Sequence, residues 1–309
     1  MFSFTKSYQD KMAAEISHYE NVFKNSLCQA VPPSWHYVEK YFSRRIKKAT
    51  AVNNLYQYVS RFAQGKKHLD ILGLGSGACG PELEGIIPEL KKQKSKVHLS
   101  CLDINRQALN TARKEAKKRK IDFTALIRDI NFFSFPQNKY DIIVAHASLH
   151  HFDKLDHVIQ GVNQALKPDG IFITVDIPTK NGYLMWPETY QYVSDIWKIL
   201  PPKYKIDHTK HAKPVFAPKY ENVDYSKTSF ECANSEKVLP TLRRYLREIV
   251  FVPGMSISRR FFDTKFGPNY NLKNPIDKSI MDFILNLDNY LLDQNILKPE
   301  TFFGVYRKI

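Results

Sequence analysis

The sequence predicts an α/β fold: a doubly wound, mostly parallel seven-stranded sheet with a helical lid at its N-terminal end and cap insertions towards its C-terminal end. Three observations carry that prediction. Short apolar strands alternate with amphipathic helices from residue 68 to 176, the pattern of a parallel sheet covered on both faces. The first strand runs into a glycine-rich turn, LGLGSG at 72–77. Asp103, Asp129 and His146 each stand at or just past the end of a further strand, where open parallel sheets hold their ligands.

Residues 1–65 read as a helical lid. Tyr8, Met12, Ile16, Tyr19 and Phe23 recur at helical spacing. VPPSW at 31–35 interrupts the pattern; Trp35, Val38, Tyr41 and Phe42 resume it, followed by Val52, Leu55, Tyr56, Val59 and Phe62. The core segment, 66–178, opens with a strand at 68–72. Pro81 then suits the first turn of a helix, whose buried stripe is Leu83, Ile86, Ile87 and Leu90 and which Pro88 should bend or shorten. A second strand at 97–102 precedes Asn105, a cap for the helix carrying Leu109, Ala112 and Ala116. Strands follow at 123–127 and 140–145. Leu155, Val158, Ile159, Val162 and Leu166 form an amphipathic helix with Asp153 as its expected cap, stopped by Lys-Pro-Asp-Gly at 167–170. The fifth strand is 171–176.

Beyond residue 178 the alternation stops. Segment 179–228 is rich in Pro, Lys and Tyr, with a helix over 188–200, and reads as a substrate cap. Segment 229–309 returns to the sheet. Val238, Leu239, Leu242, Tyr245 and Leu246 mark a helix before a strand at 249–252, and TFFGVY at 301–306 closes the sheet. Between them an irregular second insertion, 254–300, holds a helix through Ile280, Ile284, Leu287 and Leu291.

Composition excludes several classes. Of 309 residues, 43% are hydrophobic and 25% charged, ordinary for a globular chain. No stretch reaches the length of a transmembrane helix, and the start, MFSFTKSYQDKM, lacks a signal-peptide pattern. The cysteines, Cys28, Cys79, Cys101 and Cys232, include no CxxC pair, which argues against a zinc ribbon or disulfide framework and for a reducing, cytoplasmic setting. The net charge of +15 draws anionic partners, nucleic acid included. Its densest run, RKEAKKRK at 113–120, sits at the end of a predicted helix, where cations suit the dipole.

The glycines alone fit two ligands. Gly75-x-Gly77-x-x-Gly80 matches the dinucleotide fingerprint, while Gly73-x-Gly75-x-Gly77 matches the loop of S-adenosylmethionine enzymes. The neighbouring pieces are LGLGSG (72–77), CLDI (101–104), RDI (128–130), YDIIVAHASLHHF (140–152) and LKPDGIFITVD (166–176). In that order and spacing, residues 68–176 resemble the Rossmann-like core of a class I S-adenosylmethionine-dependent methyltransferase. The whole chain resembles a bacterial subgroup with the same helical start and long C-terminal cap. The resemblance implies S-adenosylmethionine as cofactor, S-adenosylhomocysteine as product, and no metal. It places Gly73, Gly75 and Gly77 at the methionyl part, Asp103 beside Ile104 at the ribose, Asp129 and Ile130 at the adenine, and His146 near the reacting methyl. One departure stands out. The acid usual two places before the first glycine is Ile71 here, with Asp70 one step earlier; Asp70 reaches the methionyl amine only if the strand carries a bulge.

The implied reaction is in-line methyl transfer to an oxygen or nitrogen of a small-molecule or sugar-like acceptor, anionic acceptors among the candidates. His146 and His151 are the candidate bases. Tyr183, Trp186 and Glu188, after the fifth strand, and Arg260 in RRFFDTKFGPNY (259–270) are the candidate acceptor contacts. His150, His151, Asp153 and His157 are also metal-ligand types, although the resemblance calls for no ion. AHASLHHF after the fourth strand differs from the Asn/Asp-Pro-Pro-Tyr/Phe of enzymes that methylate exocyclic base amines, and no Pro-Cys or Thr-Cys offers a cytosine nucleophile. Three alternatives stay open: an RNA-directed methyltransferase, an NAD(P)-dependent oxidoreductase and a non-catalytic methyltransferase-like binding protein. For the oxidoreductase, Asp103 lies 26 positions after Gly77, against the ~20 of that motif.

Overall fold

The computed structural model describes residues 7–25, 31–209, 213–227 and 229–309, the side chains of 18–25 excepted. Tyr19, Phe23 and Cys28, and the parts of the expected lid and cap at 1–6, 26–30, 210–212 and 228, therefore lie outside what is described.

The chain enters through three helices, α1 (Tyr8–Asn25), α2 (Pro33–Thr50) and α3 (Leu55–Phe62). Pro32 and Pro33 separate the first two, and the Asn54 side chain caps the third by accepting from the Gln57 amide. Then strands and helices alternate: β1 (His68–Leu74), α4 (Ile87–Lys91), β2 (Lys96–Asp103), α5 (Arg106–Lys118), β3 (Asp122–Ile127), β4 (Tyr140–His146), α6 (Leu155–Ala165) and β5 (Leu166–Asp176). Pro88 has the effect its ring dictates: a π-helical turn at Pro81–Ile86 gives way to only five α-helical residues. Asn105 caps α5 through the Ala108 amide. Asp153 does not cap α6. That helix starts from Lys154 with no side-chain cap, and the Lys154 amide donates instead to Asn131 Oδ1 at 2.9 Å.

The remaining elements are α7 (Pro187–Ile199), α8 (Ser235–Tyr245), β6 (Arg247–Gly254), α9 (Ile257–Phe262), α10 (Pro275–Asp293) and β7 (Thr301–Arg307). The two-residue strands Ile206–Asp207 and Val215–Phe216 pair with each other. The main sheet has seven strands in the order β3-β2-β1-β4-β5-β7-β6. The first five run parallel, and β7 runs antiparallel to both β5 and β6. No described helix is long and apolar enough to cross a membrane.

Alternation along β1 splits the interior in two. Ile71 faces one core with Leu99, Leu109, Val144, Ile173 and Phe303, covered by α2 to α5 and the α7, α9 and α10 cap. Leu72 and Leu74 face the other, with Val158, Val162, Leu242 and Tyr306 from α6, α8 and β7. The chain travels outwards through β2 and β3 and returns to β4 on the opposite side of β1. That reversal opens a crevice at the carboxyl ends of β1 and β4.

In the second insertion α9 is a helix where the sequence predicts irregular chain. Its first amides, on Ser256, Ile257 and Ser258, all donate to the buried Asp288 carboxylate of α10. A cap supplied from thirty residues downstream leaves no local signal.

Candidate functional site

A cavity of about 430 Å³ lies at the carboxyl ends of β1 to β4. The turn after β1 supplies its floor. Gly75 and Gly77 have φ of +58° and +52°, left-handed values that favour glycine. A Cβ on Gly75 would stand 2.8 Å from Ser148 Cβ and 3.1 Å from the Phe152 ring, so the close approach also requires glycine. Gly73 is still within β1 and does not line the cavity. Its missing side chain leaves room for Glu82, whose Oε1 lies 2.5 Å from where a Cβ would be.

Asp103 ends β2 on the cavity wall. Its Oδ2 accepts the Gly77 amide at 2.7 Å and its Oδ1 the Asn105 amide at 2.7 Å, so it ties the glycine turn to the next strand. Burial pushes this carboxyl up, against the pull of those amides. Asp129 follows β3. Its Oδ1 accepts the Asn131 amide at 2.9 Å and its Oδ2 the Tyr8 hydroxyl at 2.6 Å. Asn131 Nδ2 donates to both Tyr8 and Asp129. Ile104 and Ile130 line the same cavity. Carboxylates on adjacent strand ends beside a glycine turn form a rim of hydrogen-bond acceptors.

The opposite wall is the turn at 148–151. Buried Asp176, at the end of β5, holds it by accepting the Ser148 and Leu149 amides at 2.9 and 2.8 Å, and lies 2.7 Å from His150 Nδ1. Burial works against the Asp176 charge, but the His150 ring and the amides outweigh it and hold the carboxyl below its ordinary range. His151 faces the cavity. Its Nδ1 lies 3.1 Å from Glu15 Oε1 on α1, and its Nε2 3.7 Å from Glu231 Oε2 in the turn before α8. Burial pulls this ring down; the two carboxylates outweigh it and raise the ring above its ordinary value. Glu231 is held low against burial by His150 and His151. Glu15, Asn131 and Glu231 carry no motif signal in the sequence; only the fold brings them to His151 and Asp129.

His146 ends β4 but does not line the cavity, and burial lowers its basicity. The four candidate acceptor contacts lie elsewhere too. Arg260 is buried, pairing through Nε with Glu300 Oε2 at 2.5 Å and lying 4.2 Å from the centre of the Tyr183 ring. The Tyr183 hydroxyl accepts from Arg259 Nε at 2.8 Å. Trp186 donates to the Pro178 carbonyl and carries Lys298 at 4.0 Å over its ring. Glu188 is exposed in the first turn of α7. All four belong to the packing and surface of the cap.

Asp70 sits in regular register with His98, without a bulge, and pairs with Lys167 Nζ at 2.9 Å. The condition that would bring it to the glycine turn is not met. The carboxylate next to the first glycine is Glu82. It is 2% exposed, its Oε2 has no partner among the described residues, and burial raises its pKa to about 7. Cys79, Glu82 and Cys101 cluster beneath the turn, and His150, Glu231 and Cys232 behind it. Burial pushes the Cys101 and Cys232 thiols up, towards their neutral forms. His157 Nε2 lies 3.1 Å from the Phe133 carbonyl.

Residues 65–217 match the family described as a methyltransferase domain. A demethylmenaquinone methyltransferase of Leptospira interrogans is 24% identical over 154 residues, 48% of this chain and 57% of that protein. This chain thus spans little more than half the length of that relative. The biotin biosynthesis bifunctional protein BioHC of Saccharophagus degradans is 30% identical over 121 residues, 39% of this chain and 20% of that one. Among solved structures, the geranyl diphosphate C-methyltransferase of Streptomyces coelicolor A3(2) overlaps 87% of this chain and 84% of its own, at 12% identity and a TM-score of 0.46. The strand order places an antiparallel β7 between β5 and β6, unlike the 3-2-1-4-5-6 order of the dinucleotide-binding fold. Together with the match over 65–217, this shows that the chain carries a class I S-adenosylmethionine-dependent methyltransferase domain.

Proposed function

We propose that the protein transfers a methyl group from S-adenosylmethionine to an oxygen or nitrogen of a small-molecule acceptor. One observation carries the reading: Asp103, Asp129 and the left-handed turn at 75–77 share a single cavity with His151. In this reading Gly75 and Gly77 admit the methionyl part, with Gly73 at the base of the turn. Asp103 with Ile104 takes the ribose, and Asp129 with Ile130 the adenine. The cofactor supplies a methyl carbon activated by its positive sulfur. The chain's own work is to bind, align and exclude water. Tyr8, Met12 and Ile16 of α1 line the cavity. His151 is placed to accept a proton from the acceptor, with Glu15 and Glu231 steadying the charge it gains. His146, outside the cavity, is the weaker candidate base on this geometry.

The test is calorimetric titration with S-adenosylmethionine and, separately, NADH, repeated on Asp103→Ala. We expect S-adenosylmethionine to bind, and the substitution to weaken it by about tenfold or more, the cost of losing a charge-assisted hydrogen-bond acceptor. Binding of NADH alone overturns the reading. Cofactor binding without turnover on any acceptor returns the protein to the class of non-catalytic binders.

A further inference from the structure

We propose that the acceptor is a compact cationic amine, seated between Glu15 and Glu231 beside His151 and against the rings of Tyr8 and Phe230. The proposal rests on the methyl-transfer reading of the same cavity and narrows its acceptor.

The chain carries a net charge of +15, yet this cavity runs the other way. Glu15, Asp103 and Asp129 line it; apart from His151, Arg128 is the one basic side chain among its described lining residues. Arg128 is exposed, and its Nη1 donates to the Ile127 carbonyl. Asp103 and Asp129 are already engaged by backbone amides. Glu15 and Glu231 are not: among the described residues no backbone amide donates to either. They approach opposite ring nitrogens of His151, at 3.1 and 3.7 Å. Tyr8 and Phe230 stand edge to face at 5.2 Å on the same wall. Carboxylates whose partners are imidazole rings and a thiol, rather than a lysine or arginine, attract a cation where aromatic faces stand beside them. An anionic acceptor would meet two carboxylates against one imidazole at this end of the cavity.

The same groups fit the chemistry of an amine. An ammonium must shed a proton before its nitrogen has a lone pair. His151 takes that proton, the lone pair forms the new nitrogen–methyl bond, and the electron pair of the methyl–sulfur bond stays with sulfur. Glu15 from α1, Glu231 from the turn before α8 and Asp176 from β5 raise the His151 ring, and His150 lies against it at 4.2 Å. A second cation among these carboxylates competes with the protonated ring. Amine binding therefore releases a proton from His151 and strengthens as pH rises through its titration.

The experiment titrates protein saturated with S-adenosylhomocysteine with 2-phenylethylamine, 2-phenylethanol and 3-phenylpropionate, by calorimetry in two buffers of different ionisation enthalpy. We expect the amine to bind about tenfold or more tighter than its alcohol and carboxylate analogues, with proton release. Glu15→Gln and Glu231→Gln should each weaken it by about tenfold, the loss of one charge-assisted contact, while S-adenosylhomocysteine still binds both variants and reports an intact fold. Carboxylate binding as tight as the amine's, no amine binding by the loaded protein, or amine binding indifferent to both substitutions overturns the proposal. Failure of S-adenosylhomocysteine to bind the unsubstituted protein overturns the methyl-transfer reading itself, so the two failures are distinguishable.

Discussion

The Tyr8 hydroxyl donates to Asp129 Oδ2 at 2.6 Å, joining the first turn of α1 to the end of β3 across the cavity rim. The two residues are 121 positions apart. Asp129 is the acceptor proposed for the adenine amino group, so Tyr8 and the cofactor call on one carboxylate.

Tyr8→Phe frees that oxygen while keeping the ring that meets Phe230 and Phe132. Cofactor affinity is expected to rise by about threefold to tenfold, the value of one net hydrogen bond. Tyr8→Ala removes the wall as well and should weaken binding. Calorimetry on both variants checks this; a Tyr8→Phe variant that binds more weakly would make the hydroxyl a partner of the cofactor rather than its competitor.

Glu82 gives a pH prediction. The folded chain holds its proton up to about pH 7, whereas the ordinary value is 4.5. Between those values the native state binds a proton that the unfolded state has lost. Stability therefore declines as pH climbs through that window and stays lower above it. Glu82→Gln remains neutral and avoids the decline. It should be more stable than the parent above pH 7, by of order 3 kcal/mol, and little different near pH 4. Urea denaturation across pH reads the effect directly. A difference independent of pH would mean that Glu82 titrates alike in the folded and unfolded chains.

Arg260 tests where the cap ends and the site begins. Its guanidinium is 3% exposed and pairs with fully buried Glu300. Arg260→Met leaves that carboxylate stranded and should cost about 3–5 kcal/mol. Cofactor affinity should hold, and adding Glu300→Leu should recover much of the loss. An Arg260→Met protein of unchanged stability with a raised KM for its acceptor would move this residue into the site.

The sheet and the strand-end residues that line the cavity are legible in the sequence for a common reason. Strands such as β4 are buried on both faces, so they read as unbroken apolar runs. The residues that end them (Gly75, Asp103 and Asp129) stand out as the glycine and carboxylates next to those runs. The wall around His151 offers no such contrast. Glu15 sits in an amphipathic helix and Glu231 in a turn, each unremarkable in its local setting. Only the packing of α1 and the 229–234 turn against the 148–151 turn gives them a shared neighbour in His151. Conversely, Arg260 and Tyr183 have the residue types of a binding site, and the fold uses them on each other.

The position of β7 has a consequence for how the chain is made. β7 is the last of the seven strands in sequence, yet it lies between β5 and β6. During synthesis β6 emerges nearly fifty residues earlier and has no strand to join. Until β7 arrives, the outer edge of β5 is an open ladder, the kind of template that recruits strands from neighbouring chains. The sheet is therefore finished in one late step, after both insertions have left the ribosome. A nascent chain halted within α10 would be the form most in need of a chaperone.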